Sequence, residues 1–337
     1  MFCNHALWRK HAAALFSFFV VSLLAQADVE AQGQTQAPAP QAPSATAPGT
    51  VKELVLPPGT PKDGKKQAAS DGGSVQFVGN ATVLIRYAGF TILTDPNFLH
   101  KGEHVHLGYG LKAQRLTNPA VELDQLPPID LIVLSHMHGD HFDQLVQEKL
   151  DRNTPIVTTP EASKALEEMG FKQRHALATW DALLVKKGDA TLRINAMPAR
   201  HGPPAASAPL PETMGSMLEF STSQRKPNYR IYISGDTLVY EDINDIPRRY
   251  PEIDLALLHL GGTRILGVMK VTMDGKDGVQ MLQIIAPQHA IPIHYNDYDV
   301  FKSPLSEFEK EVNAAGLQGK ITYLKHGQTY KFRPAKR

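Results

Sequence analysis

The densest group of metal-binding side chains in the sequence lies in residues 136–141, which read His-Met-His-Gly-Asp-His. Imidazole nitrogens and carboxylate oxygens are ligands of Zn²⁺ and similar divalent ions. The group follows an apolar run and precedes a segment of helical character, and side chains can converge where a strand turns into a helix. Gly139 is expected to permit the tight turn that this convergence needs. A chance histidine pair in a polar loop explains one His-x-His, but it explains the full pattern poorly. The predicted ligands in this group are His136, His138, Asp140 and His141.

Three further ligand candidates, His201, Asp236 and His294, each follow a predicted strand. Each one alone is a weak signal, because a lone histidine after an apolar strand is often a buried histidine and Gly-Asp is an ordinary turn pair. Together with the first group they make a set of five histidines and two carboxylates. We therefore predict that remote parts of the chain meet at one metal centre.

Such a set can give each of two metal ions three or four ligands and leave a shared open position for hydroxide. Water in that position loses its proton near neutral pH and becomes a nucleophile without any Ser or Cys. The second ion can stabilise charge on the attacked group or on the leaving oxygen. Asp140 is predicted to orient the nucleophile and shuttle its proton, with a role as a ligand only as the alternative.

An alternating order of strands and helices is predicted to position these residues. A hairpin is expected around a Gly79-Asn80 turn, and the run at 129–135 is expected to be a buried strand. Predicted strands cover 75–78, 81–87, 91–94, 129–135, 155–157, 191–197, 216–220, 229–234, 253–258 and 290–293. Predicted helices cover 143–150, 161–169, 278–285 and 304–315, the last with Ser303 as N-cap.

Composition favours a globular enzyme. The chain has 337 residues, of which 42% are hydrophobic, and its 35 basic against 34 acidic residues give a net charge of +1. This balance indicates no nucleic-acid partner. The one cysteine is Cys3, so neither a disulfide framework nor a thiolate zinc ligand is expected in the processed chain.

The N-terminus is typical of an export signal. Basic residues precede the apolar run 12–24, which is followed by Ala25-Gln26-Ala27. We expect cleavage after Ala27 and a periplasmic or secreted protein; an uncleaved anchor is the alternative. Residues 28–73 are rich in Pro, Ala and Gln and are predicted to be a disordered linker, so that the folded domain with the predicted metal centre covers 74–333.

The pattern His-x-His-x-Asp-His, followed by a later His, an Asp and a final His, resembles the metallo-β-lactamase superfamily. The resemblance implies an α/β fold with four αββα layers. It implies that His136, His138 and His201 hold one metal, that Asp140, His141 and His294 hold the other, and that Asp236 bridges them. Zinc is the first choice of metal, with Mn or Fe as alternatives.

Within that superfamily, four segments resemble the branch that contains N-acyl-phosphatidylethanolamine phospholipase D and L-ascorbate-6-phosphate lactonase. They are residues 79–82, 93–96, 128–131 and 198–201. Asn80 departs from the branch, which often has His in a Gly-His-Ala-Thr pattern, and Thr272 stands where the branch has a substrate-side His. Either departure could alter substrate choice. Cleavage of β-lactams is a poor prediction, because Asp236 takes the bridging position.

Several other residues near the predicted centre have two interpretations. Asp95 is predicted to hydrogen-bond a ligand histidine, with a simple Asp-Pro turn as the alternative. His259 is predicted either to line the pocket or to be a core histidine. Asp274 ends the branch motif that contains Thr272 on the substrate side, and its alternative interpretation is the N-cap of a helix.

Two loops could reach the mouth of the predicted centre. The loop histidines His100, His104 and His106 are expected to be solvated and not to bind metal. The Pro-rich loop 202–209 is predicted either to cover the pocket or to be a surface connection.

The leading hypothesis is a dinuclear metal-dependent hydrolase in which a metal-bridging hydroxide attacks a phosphodiester, phosphoester or lactone. The alternatives are a non-hydrolytic metal-binding or sensing module with the same fold and a di-iron redox protein. The expected partner is a small-molecule or lipid-like substrate. A lipid substrate with peripheral membrane contact would need an apolar rim, for which the candidates are Phe98, Leu99, Leu107 and Tyr109.

Overall fold

Two seven-stranded mixed sheets form the centre of the fold. The computed structural model describes residues 49–58, 72–108, 110–204, 210–222 and 227–334. The predicted signal at 1–27 lies outside the described residues. Most of the predicted linker, at 28–48 and 59–71, also lies outside them.

The strands are numbered in chain order. They are β1 Val51–Leu56, β2 Gly73–Gly79, β3 Thr82–Tyr87, β4 Phe90–Thr94, β5 His104–His106, β6 Lys112–Gln114, β7 Leu131–Val133, β8 Ile156–Thr158, β9 Arg174–Ala176, β10 Ala182–Lys187, β11 Ala190–Met197, β12 Gly215–Ser221, β13 Tyr229–Ile233, β14 Leu255–His259, β15 Arg264–Ile265, β16 Met269–Lys270, β17 His289–Ile293 and β18 Thr329–Phe332. One sheet has the order β1-β10-β11-β12-β13-β14-β17, and the other has the order β18-β2-β3-β4-β7-β8-β9. The pairs β5-β6 and β15-β16 are separate two-stranded hairpins.

The helices are short and mostly begin at residues that the sequence marks as caps. They are α1 Gln144–Lys149, α2 Pro160–Glu168, α3 Asp245–Arg249, α4 Gly275–Ile285 and α5 Leu305–Ala314. The side chains of Asp143, Thr159 and Asp274 accept hydrogen bonds from backbone N–H groups in the first turns of α1, α2 and α4. The N-cap interpretation of Asp274 is thus confirmed.

The apolar faces of the two sheets pack against each other, and helices cover their outer faces. Between the sheets, the ring of Tyr87 meets the ring of Phe220 edge-on at 5.3 Å. Buried side chains of α4 and α5 join the larger core cluster, which contains residues of both sheets. Those of α1 and α2 join a second cluster, formed with the sheet that contains β4 and β7. The predicted four-layer αββα architecture is confirmed.

Two predictions at element boundaries are wrong. Ser303 does not cap α5, because Pro304 takes the N-cap position and the Ser303 hydroxyl instead donates to Glu307 Oε2 at 2.6 Å. The predicted linker contains a strand, since β1 pairs in parallel with β10 along six residues and buries Leu56. The branched apolar residues of Val51–Leu56 were the signal for this strand, but the Pro-rich sequence around them obscured it.

The other predicted strands are present, with shifts of one or two residues at their ends; the largest is at 129–135, where the regular strand is only β7. The predicted hairpin is formed by β2 and β3, which pair antiparallel. Among the described residues, no helix combines the length and apolar character needed to cross a membrane.

Candidate metal centre

The predicted ligands all follow strands that end at one edge of the two sheets. In one sheet β4 and β7 run parallel, and in the other β13, β14 and β17 run parallel, so their carboxyl ends meet. Asp95 follows β4, and the His-Met-His-Gly-Asp-His segment at 136–141 follows β7. His201, Asp236 and His294 follow β11, β13 and β17. The strand ends therefore carry remote residues to one place.

One group of converging ligand atoms comes from His136, His138 and His201. The Nδ1 atom of His138 lies 3.0 Å from His136 Nε2 and 3.3 Å from His201 Nε2. The outer nitrogens are occupied: Nδ1 of His136 lies 2.9 Å from the Ser135 hydroxyl, and Nδ1 of His201 lies 2.8 Å from the carbonyl of Val271. These bonds hold both rings with Nε2 facing inward.

A second group consists of Asp140, His141 and His294. The Nε2 atoms of His141 and His294 are 3.1 Å apart, and Oδ2 of Asp140 lies 3.4 Å from His294 Nε2. The outer nitrogen of His294 lies 3.2 Å from the carbonyl of Leu260. This group therefore also directs its ligand atoms inward.

Asp236 lies between the two groups. Its Oδ2 atom is 3.3 Å from His141 Nε2 in the second group and 4.0 Å from His136 Nε2 in the first. The side chain is nearly fully buried, at 2% exposure. One carboxylate oxygen thus faces both groups.

The chemistry of these atoms fits divalent cations. Ligand nitrogens on a tetrahedral zinc ion lie about 3.3 Å apart, which follows from Zn–N bonds of about 2.0–2.1 Å. Within the described chain, Oδ1 of Asp140 and Oδ1 of Asp236 are buried and accept no hydrogen bond. The nearest charged group to Asp236 Oδ1 is His294 Nδ1 at 3.6 Å. A buried carboxylate oxygen without a hydrogen bond is costly, and a bound cation or a water on that cation would satisfy it.

The protonation states of the first group also suit a metal. Burial lowers the pKa of His136 and His201 and lowers the pKa of His138 to about 3, which favours the neutral form of each ring. Neutral imidazole is the form that binds metal. Burial also disfavours charge on His141, but the carboxylates of Asp236 and Asp140 outweigh it and raise the pKa of this ring. Positive charge is therefore favoured at the second group.

The centre opens to the surface through a cavity of about 100 Å³. His138, Asp140, His201 and Asp236, which belong to both groups and to the bridge between them, line it. A ligand could therefore reach the ligand atoms from outside.

A scan against family models matches residues 91–295 to the beta-lactamase superfamily domain. A protein of Archaeoglobus fulgidus named a UPF0173 metal-dependent hydrolase is 28% identical over 60% of this chain and 82% of its own length. A protein of Hyperthermus butylicus with the same name is 27% identical over 77% of this chain and 100% of its own length. The crystal structure of isothiocyanate hydrolase from Delia radicum gut bacteria has the same fold, with a TM-score of 0.65 and 20% identity over 78% of this chain and 100% of that one.

The chain belongs to the metallo-β-lactamase superfamily. The predicted enzyme class, a metal-dependent hydrolase, agrees with the names of its relatives. The superfamily resemblance drawn from the sequence is confirmed, and so is its fold. The narrower resemblance to the phospholipase and lactonase branch stays a prediction.

In this member of the superfamily, Asp95 lies behind the second group of ligands. Its Oδ1 accepts a hydrogen bond from the backbone N–H of Ser135 at 2.7 Å, while Oδ2 is 3.5 Å from His141 Nδ1 and 3.3 Å from His259 Nε2. Burial alone would raise the pKa of Asp95, but these two histidines lower it to about 2. The predicted contact with a ligand histidine is present. His259 is fully buried and lies behind His141, so it does not line the cavity.

Asn80, the departure from the branch pattern, holds two of the loops that carry ligands. Its Nδ2 donates to the carbonyl of Asp140 at 2.6 Å, and its own carbonyl accepts the N–H of His294 at 2.8 Å. Asn80, Asp95 and His294 all have positive φ, at 53°, 34° and 59°. Unfavourable backbone conformations of this kind cluster at functional sites. Asn adopts the left-handed conformation with positive φ more readily than most residues do.

Sequence reasoning missed a buried polar network behind Asn80. The guanidinium of Arg115 is fully buried, donates to Asn97 Oδ1 and lies 3.6 Å from Asp297 Oδ1. Asp297 Oδ2 in turn accepts the N–H of Asn80 at 2.9 Å, and Asn97 Nδ2 donates to the carbonyl of Gly139 at 3.3 Å. A single arginine in a loop sequence carries no signal of burial, so this network could not be predicted.

Gly139 is required for a reason other than the predicted one. Its φ is not positive, so no special turn conformation demands glycine. Its N–H donates to the carbonyl of His106 at 3.2 Å, and a Cβ atom would lie 2.6 Å from that oxygen. The hairpin β5-β6 therefore packs directly on the loop that carries the first ligands.

The predicted apolar rim is partly wrong. Phe98 and Leu99 are 0% and 2% exposed and pack inward, because the carboxylate of Asp143 binds their backbone N–H groups below the surface. Leu107 does line the cavity, and Tyr109 lies outside the described residues.

The surrounding loops are described in part. His100 pairs with Glu122 at 2.9 Å, and His104 and His106 are exposed on β5; the candidate metal groups of the described residues include none of the three. Residues 205–209 of the Pro-rich loop lie outside the described residues, and Leu210 lines the cavity. Thr272 is buried, lines the cavity and accepts the N–H of Thr263 at 2.8 Å.

Proposed function

We propose that this chain is a dinuclear metal-dependent hydrolase of a phosphodiester, phosphoester or lactone. In this proposal His136, His138 and His201 hold one divalent ion, Asp140, His141 and His294 hold the other, and Asp236 contacts both. Zinc is the first choice, with Mn or Fe as alternatives. The proposal rests mainly on one observation: two groups of inward-facing ligand atoms share Asp236 and face one open cavity.

When bound, such ions would supply an activated water nucleophile and positive charge for the attacked group. Asp140 can do more than bind metal. Its Oδ2 faces His294 Nε2 at 3.4 Å, whereas its Oδ1 has no hydrogen-bond partner among the described residues. The second oxygen can therefore orient the nucleophile and take its proton.

A second function, metal binding without hydrolysis, would suit a closed metal position. The open cavity beside His138 and Asp236 favours the enzyme. The resemblance to the phospholipase and lactonase branch supports the choice of ester substrates. Export of the processed chain stays a prediction, which the N-terminal sequence of the protein purified from its natural host would test.

The deciding experiment measures metal content and hydrolysis together. We expect about two zinc equivalents per wild-type chain, about one each in His201→Ala and His294→Ala, and a loss of activity of about 10³-fold or more in both variants. His104→Ala, a change of an exposed histidine, is the matched control and should behave as wild type. Two metals retained in both variants, or no turnover of phosphodiester, phosphoester and lactone panels by the zinc-loaded wild type, would contradict the proposal.

A further inference from the structure

The hairpin β15-β16 presents two apolar side chains to solvent beside the cavity. Leu266 is 86% exposed and Val268 is 77% exposed. Single exposed apolar residues are common on protein surfaces and need no special reason. The exposure of this pair therefore indicates a function only if the backbone conformation and the position of the hairpin support it.

The conformation at the tip disfavours leucine. The N–H of Val268 donates to the carbonyl of Ile265 at 3.2 Å, and the two residues between them, Leu266 and Gly267, have φ of 51° and 73°. A turn with positive φ at both central residues strongly prefers Asn, Asp or Gly at the first of them. Leu266 thus stands where both backbone conformation and exposure to water favour a polar residue.

The position of the tip connects it to the metal centre. Leu266 lines the same cavity as His138 and Asp140, and Leu111, 39% exposed, lines it as well. The base of the hairpin is fixed, because the carbonyl of Val271 lies 2.8 Å from His201 Nδ1. An apolar surface therefore begins directly at the proposed site of hydrolysis.

Two cations lie in this mouth without a carboxylate at ion-pair distance. Lys112 and Arg264 line the cavity and are exposed. In contrast, neighbouring Lys270 is paired with Asp274 at 2.7 Å. Among the described residues no carboxylate lies within 4.0 Å of the charged nitrogens of Lys112 or Arg264, and Arg264 makes only a 3.4 Å hydrogen bond to the carbonyl of Val268. The charge of Arg264, together with Lys270, helps to lower the pKa of the Asp274 carboxyl, but it forms no close ion pair. The mouth thus combines apolar side chains with two cations that have no carboxylate in direct contact.

We propose that the substrate is an anionic amphiphile, whose negative group is bound by Lys112 and Arg264 and whose apolar chain contacts Leu266 and Leu111. This inference rests on the proposed function for the reaction, and it adds the substrate class. It differs from a membrane-binding rim because Leu266 lines the cavity itself, where it can contact one substrate molecule.

The test compares butyl phosphate with decyl phosphate as probes, by calorimetry on the full chain with and without zinc. Full burial of one methylene tightens binding by about fourfold. Decyl phosphate has six more methylenes than butyl phosphate, so even partial burial of them should make it bind at least about tenfold more tightly. Decyltrimethylammonium, which has the opposite charge, should bind at least about tenfold more weakly than decyl phosphate. The preference for the longer phosphate should persist without zinc.

Leu266→Asn is the informative variant, because Asn suits this turn and the fold should be kept. It should weaken decyl phosphate binding by about tenfold and butyl phosphate binding by less than twofold. The double change Lys112→Gln and Arg264→Gln should weaken both phosphates by about the same factor. Val55→Thr, an exposed apolar residue on β1, is the matched control and should change neither.

Unchanged decyl phosphate binding in a folded Leu266→Asn variant would overturn the inference. Sedimentation with phosphatidylglycerol vesicles that depends on Leu266, together with equal binding of the two phosphates, would also overturn it and assign the tip to a lipid surface. If the chain hydrolyses no ester but binds decyl phosphate through Leu266, the proposed function fails and this inference stands. If it hydrolyses esters without any dependence on chain length, this inference fails and the proposed function stands.

Discussion

The inner wall of the metal centre and its mouth are built in different ways. The wall consists of strand ends whose side chains are buried and held by further buried groups, as Asp95 holds His141 and Asn80 holds the loop of Asp140. The mouth consists of the short hairpin β15-β16, of Leu111 and Lys112 at the start of β6, and of Leu210, and these side chains are exposed or half-buried. The reactive groups are thus fixed by the core, whereas the groups that would select a substrate can change with little effect on the fold.

The largest effect is expected at the residue shared by both ligand groups. Asp236→Ala removes the carboxylate that faces His136 and His141, so we expect loss of at least one metal equivalent and a fall in kcat/KM of about 10³-fold or more. Elemental analysis and steady-state kinetics measure this. Asp242→Ala, an exposed aspartate, should leave both values unchanged. Full metal content in Asp236→Ala would show that metal binding by the wall does not depend on the carboxylate of Asp236.

The buried ion pair behind the wall should matter for stability. Arg115→Met removes the fully buried cation beside Asp297, which keeps only its contacts with the Asn80 N–H, the Thr117 hydroxyl and His326. Breaking a buried pair costs about 3–5 kcal/mol. The free energy of unfolding in urea, measured on metal-free protein, tests this. Arg248→Met breaks an exposed pair with Asp245 and should cost less than about 1 kcal/mol. Equal costs in the two variants would contradict the view that the wall is rigid because it is buried.

A smaller effect is expected at Asp95. Asp95→Asn keeps an oxygen for the N–H of Ser135 but removes the negative charge beside His141 and His259. Loss of such a partner of a ligand histidine typically lowers metal affinity by about 10–100-fold. Competition with a zinc-binding dye measures the change, and exposed Asp124→Asn is the control. Unchanged affinity would mean that packing alone orients His141.

The smallest effect is expected at the mouth. Thr272→Val removes the oxygen that accepts the N–H of Thr263, which should cost about 1 kcal/mol of stability and leave the metal content unchanged. KM should change by a few-fold, because the hairpin carrying Leu266 begins at this bond. Thermal unfolding, elemental analysis and kinetics give the three values. Loss of metal in this variant would show that the mouth and the wall are not separable.

The sequence predicted the wall better than the mouth for a physical reason. The ligands form a spaced pattern, and each follows an apolar run long enough to be recognised as a strand, so both the fold and the meeting of His138, His201 and His294 could be expected. The hairpin β15-β16 has two residues in each strand, which is too short for any periodic pattern. The contact between Arg115 and Asp297 depends on tertiary packing and has no local signal.

Strand β1 has a practical consequence for recombinant protein. A chain started at residue 74, where the sequence places the domain, would lose a strand whose backbone covers β10. Since β1 is the edge strand of its sheet, its loss would move the open edge to β10, whose Leu183 and Val185 are buried. An open edge that carries apolar side chains promotes pairing with other molecules. It would also lose the hydrogen bond from Thr50 to Asp181. Expression from upstream of Thr50 should therefore give a more soluble sample than expression from Ser74.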